Sequence, residues 1–442
     1  MLLSSSLRCV LVFFVFIAVF LQRKTNGANI TAFPEPINIT VGSLPNPYNT
    51  SSATKDAIII PVPDDPLMYV PEGFTVKLYM SGLNKPRYLL YTPTGDLLVS
   101  EPFLNRISCL IDNDGDGYPD TRETFADASN GLYMPYSMAF VSGFFYVGSR
   151  NETRRYSWIR GSRQISGTGE SVLVHNPQGH WTRTVVVSPD KDRVYIGIGS
   201  ATNVDAESPP RASVQVADVG STNFTTFGYG LRNPVGLAFH PVSKELYVGC
   251  QERDDLGDDL VPDFFTRVQQ DEFFGWPYAY MTPNLTDPRR LLSNGTSERP
   301  DLVAITQTPD VLFQAHSAVM DVLFYTGEQF PSKYHNGAFA AFHGSWNRDE
   351  GTGYKIVFIP FDSTTNRPLG YYENFVTGFL TDPSGPDTFG TPVGLLVLKD
   401  GSLIFTEDGQ NRIYQVQYKN NSISIMKNFI WLFTLLMLFF TL

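Results

Sequence analysis

Six stretches of this chain repeat one pattern: a proline or small residue, an apolar run, a tight turn, and a second apolar run. They are PRYLLYTPTGDLLVSE from Pro86, PYSMAFVSGFFYVGSR from Pro135 and TRTVVVSPDKDRVYIGIGS from Thr182. Then follow PVGLAFHPVSKELYVGCQE from Pro234, HSAVMDVLFY with GAFAAFHGS from His316, and PVGLLVLKDGSLIFTEDGQNRIYQV from Pro392. Each reads as two strands around a turn made by Pro, Asp, Gly or Ser. The starts lie 49, 47, 52, 82 and 76 residues apart. The shorter spacings match one propeller blade of roughly 40–50 residues, and the longer ones leave room for insertions. A blade cannot bury both its faces alone, so six such units predict an all-β, six-bladed β-propeller whose blades close radially and protect their strand edges. A pair of β-sandwiches with coincidental similarity is the competing reading.

Composition supports many short strands and turns rather than a helical bundle: 36 Gly, 31 Pro and 33 Phe in 442 residues. With 42% hydrophobic and 17% charged residues the chain is not disordered. Its formal charge of -11 gives a polyanion such as nucleic acid no long-range attraction. The organisation expected is a signal segment over 1–28, an extended glycosylated lead-in over 29–56, the propeller over 57–418 and a terminal segment over 419–442.

Arg8, the apolar run Cys9–Leu21 and the small pair Gly27-Ala28 have the order of a secretory signal, with an uncut signal anchor as the alternative. The second apolar run, Phe429–Leu442, follows the small residues Asn420, Asn421 and Ser422. That order fits a GPI-anchor signal, although the spacer is shorter than usual. A short tail anchor or a buried element are the other readings. Eight N-x-S/T sites, at Asn29, Asn38, Asn49, Asn151, Asn223, Asn284, Asn294 and Asn420, agree with passage through the secretory route and with a place at the cell surface. Loss of both ends would remove Arg8, Arg23, Lys24 and Lys427 and no acid, taking the charge from -11 to -11 - 4 = -15. Outside the signal only Cys109 and Cys250 remain, either a pair or two buried thiols.

Several chemistries are absent by motif: there is no H-E-x-x-H, no G-x-S-x-G and no G-x-x-x-x-G-K-[ST]. The six histidines are scattered singly. One loop, Asp112-Asn-Asp-Gly-Asp-Gly-Tyr-Pro-Asp-Thr-Arg-Glu123, has the D-x-D-x-D-G-x5-E spacing of a Ca²⁺ loop. Asp112, Asp114, Asp116, Asp120 and Glu123 would supply the hard oxygen ligands this cation needs. Its flanks read as strands, which makes the expected site structural rather than a helix–loop–helix sensor; a metal-free acidic turn is the bland alternative. Three further clusters of polar and aromatic residues sit at blade starts or turns: Gly179-His-Trp-Thr-Arg183, Gly230-Leu-Arg-Asn-Pro234 with Gln251–Asp259, and Phe342-His-Gly-Ser-Trp-Asn-Arg348. Their bland readings are structural histidines, inter-blade salt bridges and capping turns.

Taken together, the phrases GHWTRTVVVSPDKDRVYIGIGSATN, GLRNPVGLAFHPVSKELYVGCQERDDLGDD, FFGWPYAY, FHGSWNRDEGTGYKIVFIPF and DGSLIFTEDGQNRIYQV resemble the soluble glucose/sorbosone dehydrogenase family. These are quinoprotein six-bladed propellers that use pyrroloquinoline quinone (PQQ), and the sorbosone dehydrogenase-like branch is the closer match. The similarity runs over about residues 65–418. It implies oxidation of an aldose or sorbosone-like hemiacetal, with hydride passing to the quinone and an aldose giving its lactone. It further implies His180 as catalytic base, Arg232 and Asn233 as quinone contacts, Asp259 as an acid beside the site and Arg348 as a cofactor contact. A Ca²⁺ bridging protein and cofactor would lie at the carbonyls near Glu252 and Arg253. PQQ carries three carboxylates, so arginines in an acidic protein suit it. The sequence departs from the family at Thr391, where many relatives place an Arg that holds cofactor carboxylates, and at Asp321, where a small residue is common. With no C-x-x-C-H motif for haem, the electron acceptor would be a separate partner. A propeller without cofactor chemistry that binds carbohydrate or protein, and a lactonase-type propeller, are the alternatives.

Overall fold

The computed structural model describes residues 29–419; the expected signal, the C-terminal apolar run and the Asn420 sequon lie outside the described residues. The first long strand, β1 (Phe74–Met80), belongs to the last blade. Blade 1 is β2 (Leu89–Tyr91), β3 (Leu97–Glu101), β4 (Arg106–Ile111) and β5 (Thr121–Ala126). Blade 2 is β6 (Pro135–Val141), β7 (Phe144–Ser149), β8 (Glu152–Ser157) and β9 (Glu170–Val174). Blade 3 is β10 (Arg183–Val187), β11 (Arg193–Ile198), β12 (Ser213–Asp218) and β13 (Thr225–Tyr229). Blade 4 is β14 (Asn233–Phe239), β15 (Leu246–Gln251), β16 (Phe264–Val268) and β17 (Val311–Leu312). Blade 5 is β18 (Val319–Phe324), β19 (Ala338–Phe342), β20 (Lys355–Ile359) and β21 (Tyr372–Val376). Blade 6 is β22 (Pro392–Val397), β23 (Leu403–Glu407) and β24 (Arg412–Tyr418), completed by β1 at its outer edge. The fold is a six-bladed β-propeller, as the repeat predicts, and the six repeated segments are its six inner hairpins.

The second strands read as continuous apolar runs because both their faces are buried. Alternate residues feed the two neighbouring interfaces. Leu98 packs with Met138 and Phe145 toward blade 2, whereas Leu97 and Val99 pack with Ile404 and Ile413 toward blade 6. Tyr195 joins Leu237 and Val248 on one side, and Val194 and Ile196 join Tyr146 on the other. Glycine is required where blades approach most closely. A Cβ added at Gly148 would lie 2.2 Å from the Arg183 carbonyl oxygen, and at Gly197 2.4 Å from that of Pro234. Cys109 and Cys250 sit in two different blades as free, fully buried thiols, which settles the choice left open by the sequence.

Near the axis every blade is bolted to the next by a side chain meeting backbone. Ser100 Oγ donates to Tyr136 O at 2.7 Å, Ser137 Oγ to Arg183 O at 2.8 Å, and Thr184 Oγ1 to Val235 O. Gln251 Nε2 donates to Val319 O at 2.8 Å, and Thr406 Oγ1 to Arg87 O at 2.6 Å. Between blades 5 and 6 the sense is reversed: Asp321 accepts from Leu395 N at 2.9 Å. Leu395 lies at a register shift of β22, which explains an acid at a position where a small residue is common. Inside this ring Tyr136, Val235, Met320 and Val393 plug the axis.

The lead-in is solvent-facing at many positions but is hydrogen-bonded across loops of blades 4 and 5. Asp258 N donates to Thr50 Oγ1 at 2.8 Å, Asn347 Nδ2 to Ala53 O at 2.7 Å, and Lys55 N to Trp346 O at 2.7 Å. Among the described residues no helix is long and apolar enough to cross a membrane.

Candidate active site

The starts of the inner strands and the turns between second and third strands lie on one face of the propeller, and there they enclose a cavity of about 330 Å³ on the axis. Its walls carry Arg87 from blade 1, His180 and Trp181 from blade 3, Arg232, Asn233, Gln251, Glu252 and Asp254 around blade 4, and His316, His343 and Trp346 from blade 5. Residues that the sequence scatters singly thus converge because blades 1, 3, 4 and 5 contribute loops on the same face.

His180 precedes β10 and is held from both sides. Its Nδ1 lies 2.9 Å from the Ser200 carbonyl oxygen, which requires the proton on Nδ1 and leaves Nε2 with a free lone pair. Burial first, and then the charge of Arg232, pull its pKa down to about 3, so the ring is neutral throughout the physiological range. At Gly199 an added Cβ would meet the His180 Cβ at 2.7 Å and Asn233 Oδ1 at 2.2 Å, so the backbone there must pass close beneath both side chains.

Arg232 is immobilised by four acceptors. Nη1 donates to Glu252 O at 2.6 Å, Nη2 to Asn203 Oδ1 at 3.1 Å and to Asp254 Oδ2 at 2.7 Å, and Nε to Asn203 O at 3.2 Å. Four of its five N–H donors are thereby committed, so what the guanidinium has left for a bound conjugated ring is chiefly stacking. Asn233 Nδ2 donates to Gln251 Oε1 at 2.8 Å, while its Oδ1 is buried without a partner.

Glu252 is the most conspicuous acid. Burial pushes its carboxyl up to about 8, and its Oε1 is buried without a hydrogen-bond partner. Asp263 beside it rises to about 6 through burial, although it accepts from Glu252 N and Ala318 N. Asp254 is the contrast. Burial raises its carboxyl, but Arg232 and then His316 outweigh that and hold it below the ordinary value. His316 shows the matching balance: burial lowers its pKa, while Asp254 at 3.5 Å and the Gly257 carbonyl at 3.0 Å raise it overall.

On the blade 1 and 6 side, Asp408 forms an ion pair with Arg87 Nη2 and accepts from Thr391 Oγ1, each at 2.5 Å, and lies 2.9 Å from His343 Nε2. Burial raises its carboxyl, but Arg87 and then His343 bring it far below the ordinary carboxylate range. Arg87 also lies over the Trp181 ring at 5.4 Å. Thr391 and Arg87 therefore meet at one carboxylate, and the arginine missing from the start of blade 6 has a counterpart at the start of blade 1.

Of the residues predicted from the sequence, His180, Arg232, Asn233 and Glu252 line this cavity. Asp259 and Arg348 do not. They pair with each other at 2.8 Å, and Arg348 Nη1 also reaches Asp258 O, because their two loops close on one another outside the cavity wall. The Arg253 side chain turns away into an ion pair with Asp287 at 2.9 Å. Nor does the acidic loop gather all five of its acids. Asp112, Asp114 and Asp116 bring ligand oxygens within 4.8 Å of one another, but Asp120 instead accepts from Asn113 N at 2.6 Å. Glu123 stands in β5 opposite Cys109, since strand pairing starts before the loop can wrap that far. Sequence reasoning missed Arg87, Asp254, His316, His343 and Asp408 as site residues. Arg87 at the head of the first repeat carried the available signal, being the basic residue after a blade-opening proline.

The residues fit the group that the sequence resemblance implies. The cavity holds arginines for an anionic ring system, a neutral base with a free lone pair, and an orphaned carboxylate oxygen of Glu252 where a divalent cation would supply the missing partner.

A family profile described as TrAA12-like matches residues 68–272 and 296–419. An uncharacterized protein of Borreliella burgdorferi is 33% identical over 246 residues, covering 55% of this chain and 62% of its own length. The chain thus spans less than two thirds of that relative. A pyrroloquinoline quinone-dependent sugar dehydrogenase of Hypocrea jecorina is 25% identical over 397 residues, covering 78% of this chain and 88% of its own. The holo form of the pyranose dehydrogenase PQQ domain of Coprinopsis cinerea superposes with a TM-score of 0.67 at 19% identity, covering 81% of this chain and 98% of that domain. The last likeness shows the fold.

Proposed function

The chain belongs to the TrAA12-like family, and from that premise we propose that it is a PQQ-dependent dehydrogenase that oxidises a sugar at a hemiacetal or aldehyde-level carbon. The observation that carries the reading is the meeting, in one axial cavity, of neutral His180 with a free Nε2, the flat guanidinium of Arg232, and the unpartnered carboxylate oxygen of Glu252.

When bound, PQQ supplies a quinone that accepts hydride, and Ca²⁺ supplies a Lewis acid that strengthens it. His180 Nε2 takes the proton of the substrate hydroxyl, and the Ser200 carbonyl keeps the ring in the required tautomer. Arg232 and Asn233 would hold the cofactor ring, and Arg87 and His343, which line the same cavity, would hold its carboxylates. Glu252, with the backbone around it, is the donor set for the cation; the Arg253 side chain takes no part. Trp181 and Trp346 form apolar walls of the mouth, which displace water and face the sugar. Trp346, 43% exposed on an otherwise polar rim, is the more available ring. A second Ca²⁺ on Asp112, Asp114 and Asp116 is a structural site in this reading. Exposed Asn38, Asn49, Asn223, Asn284 and Asn294 suit a secreted, cell-surface glycoprotein held by a C-terminal lipid anchor or tail, with a separate electron acceptor.

Purified protein mixed with PQQ and Ca²⁺ should reduce an artificial dye in the presence of at least one aldose or sorbosone. Absence of PQQ binding together with absence of turnover on the whole sugar panel would overturn the reading. Arg232→Ala should weaken PQQ binding, and unchanged affinity would count against this pocket.

A further inference from the structure

A second cavity, of about 540 Å³, lies between blades 6 and 1. It is walled by the hairpin turns at Gly95-Asp96 and Leu398–Asp400 and by the 112–119 loop. These turns follow the inner strands or join outer ones, so they lie on the face opposite the axial cavity. Its size is within the range of ligand pockets, roughly 300–1,000 Å³. Nothing in the proposed dehydrogenase reaction uses it.

Its lining has a definite chemistry. Tyr79, Tyr91 and Tyr118 give three aromatic rings, with Tyr79 and Tyr118 at 5.3 Å between centroids and tilted by 34°. Gln415 and Gln417 supply amides, and Asp96, Asp112, Asp116 and Asp400 supply carboxylates, against Lys399 as the one cation of the lining. Some of these groups are committed. Gln415 Oε1 accepts from Tyr118 Oη at 3.0 Å and Nε2 donates to Ser402 Oγ at 2.8 Å; Lys399 Nζ donates to Gly95 O at 3.0 Å and lies over Tyr91 at 5.2 Å. Among the described residues the Tyr79 hydroxyl and the Gln417 amide have no hydrogen-bond partner. Burial and the neighbouring Tyr91 and Asp112 push the Tyr79 phenol up, so it stays a donor at any physiological pH.

We propose that this cavity binds a neutral oligosaccharide, independently of the axial site. The lining carboxylates are engaged, Asp96 by Arg163, Asp112 by Gly115 N and Gly117 N, Asp116 by Tyr118 N and Asp400 by Ser402, but apolar ring faces beside the unpaired Gln417 amide and Tyr79 phenol match a ligand whose carbons and hydroxyls alternate around its surface. With Asp96 paired to Arg163 at 2.9 Å and Asp112 and Asp116 in the proposed Ca²⁺ loop, Asp400 and Lys399 leave the lining close to neutral, which favours an uncharged ligand. The competing ligand class for tyrosines among carboxylates is an organic cation.

Isothermal titration of the purified chain in Ca²⁺-containing buffer, without PQQ, decides it. The probes are cellotriose, xylotriose and maltotriose, with spermidine as the cationic competitor. At least one trisaccharide should bind. Tyr79→Ala should weaken that binding by about tenfold or more and Gln417→Leu by about threefold, while Trp346→Ala at the axial mouth leaves it unchanged. Gln417 is half-buried near the end of β24, and Gln417→Leu with an unaltered melting temperature decides the matter even where Tyr79→Ala fails to fold. The proposal is overturned by the absence of trisaccharide binding, by binding that Trp346→Ala removes and Gln417→Leu keeps, or by spermidine binding without any saccharide. Because no step needs PQQ or turnover, failure of the dehydrogenase reading leaves this test intact.

Discussion

Arg87 at the head of the first blade lies 2.5 Å from Asp408 at the end of the second strand of the last blade. The seam that closes the propeller is thus also a wall of the axial cavity. The pair is buried on both sides, so removing one partner leaves an uncompensated charge. Arg87→Ala should destabilise the fold by about 3 kcal/mol and weaken PQQ binding by about tenfold or more. Thermal melts and fluorescence titration with PQQ check the two effects separately. Arg87→Lys should restore stability better than affinity, because a point charge replaces a fork; unchanged PQQ affinity in Arg87→Ala would remove this residue from the pocket.

His180 can act as a base only when neutral. Its pKa, pulled down to about 3, means that the base form is lost only below that pH. The pH profile of kcat/KM should therefore show no acidic limb from this group between about pH 5 and 8, unlike an exposed histidine near 6.5. His180→Ala should keep PQQ binding and lower kcat by about 10²–10⁴-fold. Normal dye reduction by that variant would reassign the base.

Asp321 ties blade 5 to blade 6 and predicts a pH effect on stability. Burial raises its carboxyl from 3.8 to about 7. The folded pKa is raised, so the stability linked to this group is fully present below 3.8 and is lost as pH rises through about 7. Asp321→Asn cannot titrate. Between about pH 5 and 9 the wild type should lose stability relative to this variant by at least about 1 kcal/mol, measured by denaturant melts at fixed Ca²⁺. Parallel pH curves would mean that the carboxyl does not ionise in this range.

The acidic loop makes its own prediction. Tb³⁺ added to the purified protein should luminesce through energy transfer from nearby Tyr118, and Ca²⁺ should compete it away. Asp114→Asn should weaken binding by about tenfold, since one ligand charge is lost. Glu123→Gln should have little effect, because that side chain stands apart from the three convergent carboxylates.

How much of this was legible in the sequence follows from the range of the interactions involved. The inner hairpins are local: PRYLLYTPTGDLLVSE forms strands either side of Thr92–Asp96 because its turn residues and apolar runs lie within one window. The outer strands are short and irregular, so their periodicity carried little signal. His180, Arg232 and Asn233 were found because motif and position coincide at the start of an inner strand. Arg348 and Asp259 were assigned from the same kind of motif but found each other first, a pairing between loops of two blades that no local pattern encodes. Arg87 and His316 escaped notice because each is a lone residue in its own segment, and His343 because its cluster was read through Arg348; only ring closure makes the three neighbours. The D-x-D-x-D-G spacing foretold three converging acids; it could not foretell that strand pairing would pull Glu123 away.

The outer edge of blade 6 has a consequence for how the chain is made. Its strand β1 emerges early in synthesis, but its hydrogen-bonding partner, β24, is among the last described residues to be made. Until then Phe74–Met80 has no partner strand, because blade 6 lacks the third strand on which it docks. Ring closure by strand pairing therefore acts as a check on completeness: a chain that stops before Arg412 keeps the side-chain links from blade 6 to Arg87 but loses the strand ladder that ties β1 to blade 6. The Arg87–Asp408 pair, both of whose residues precede Arg412, would then have to hold the seam without that strand pairing. Such a truncated product would present a bare strand edge to chaperones and proteases, and a half-built cavity to the cofactor.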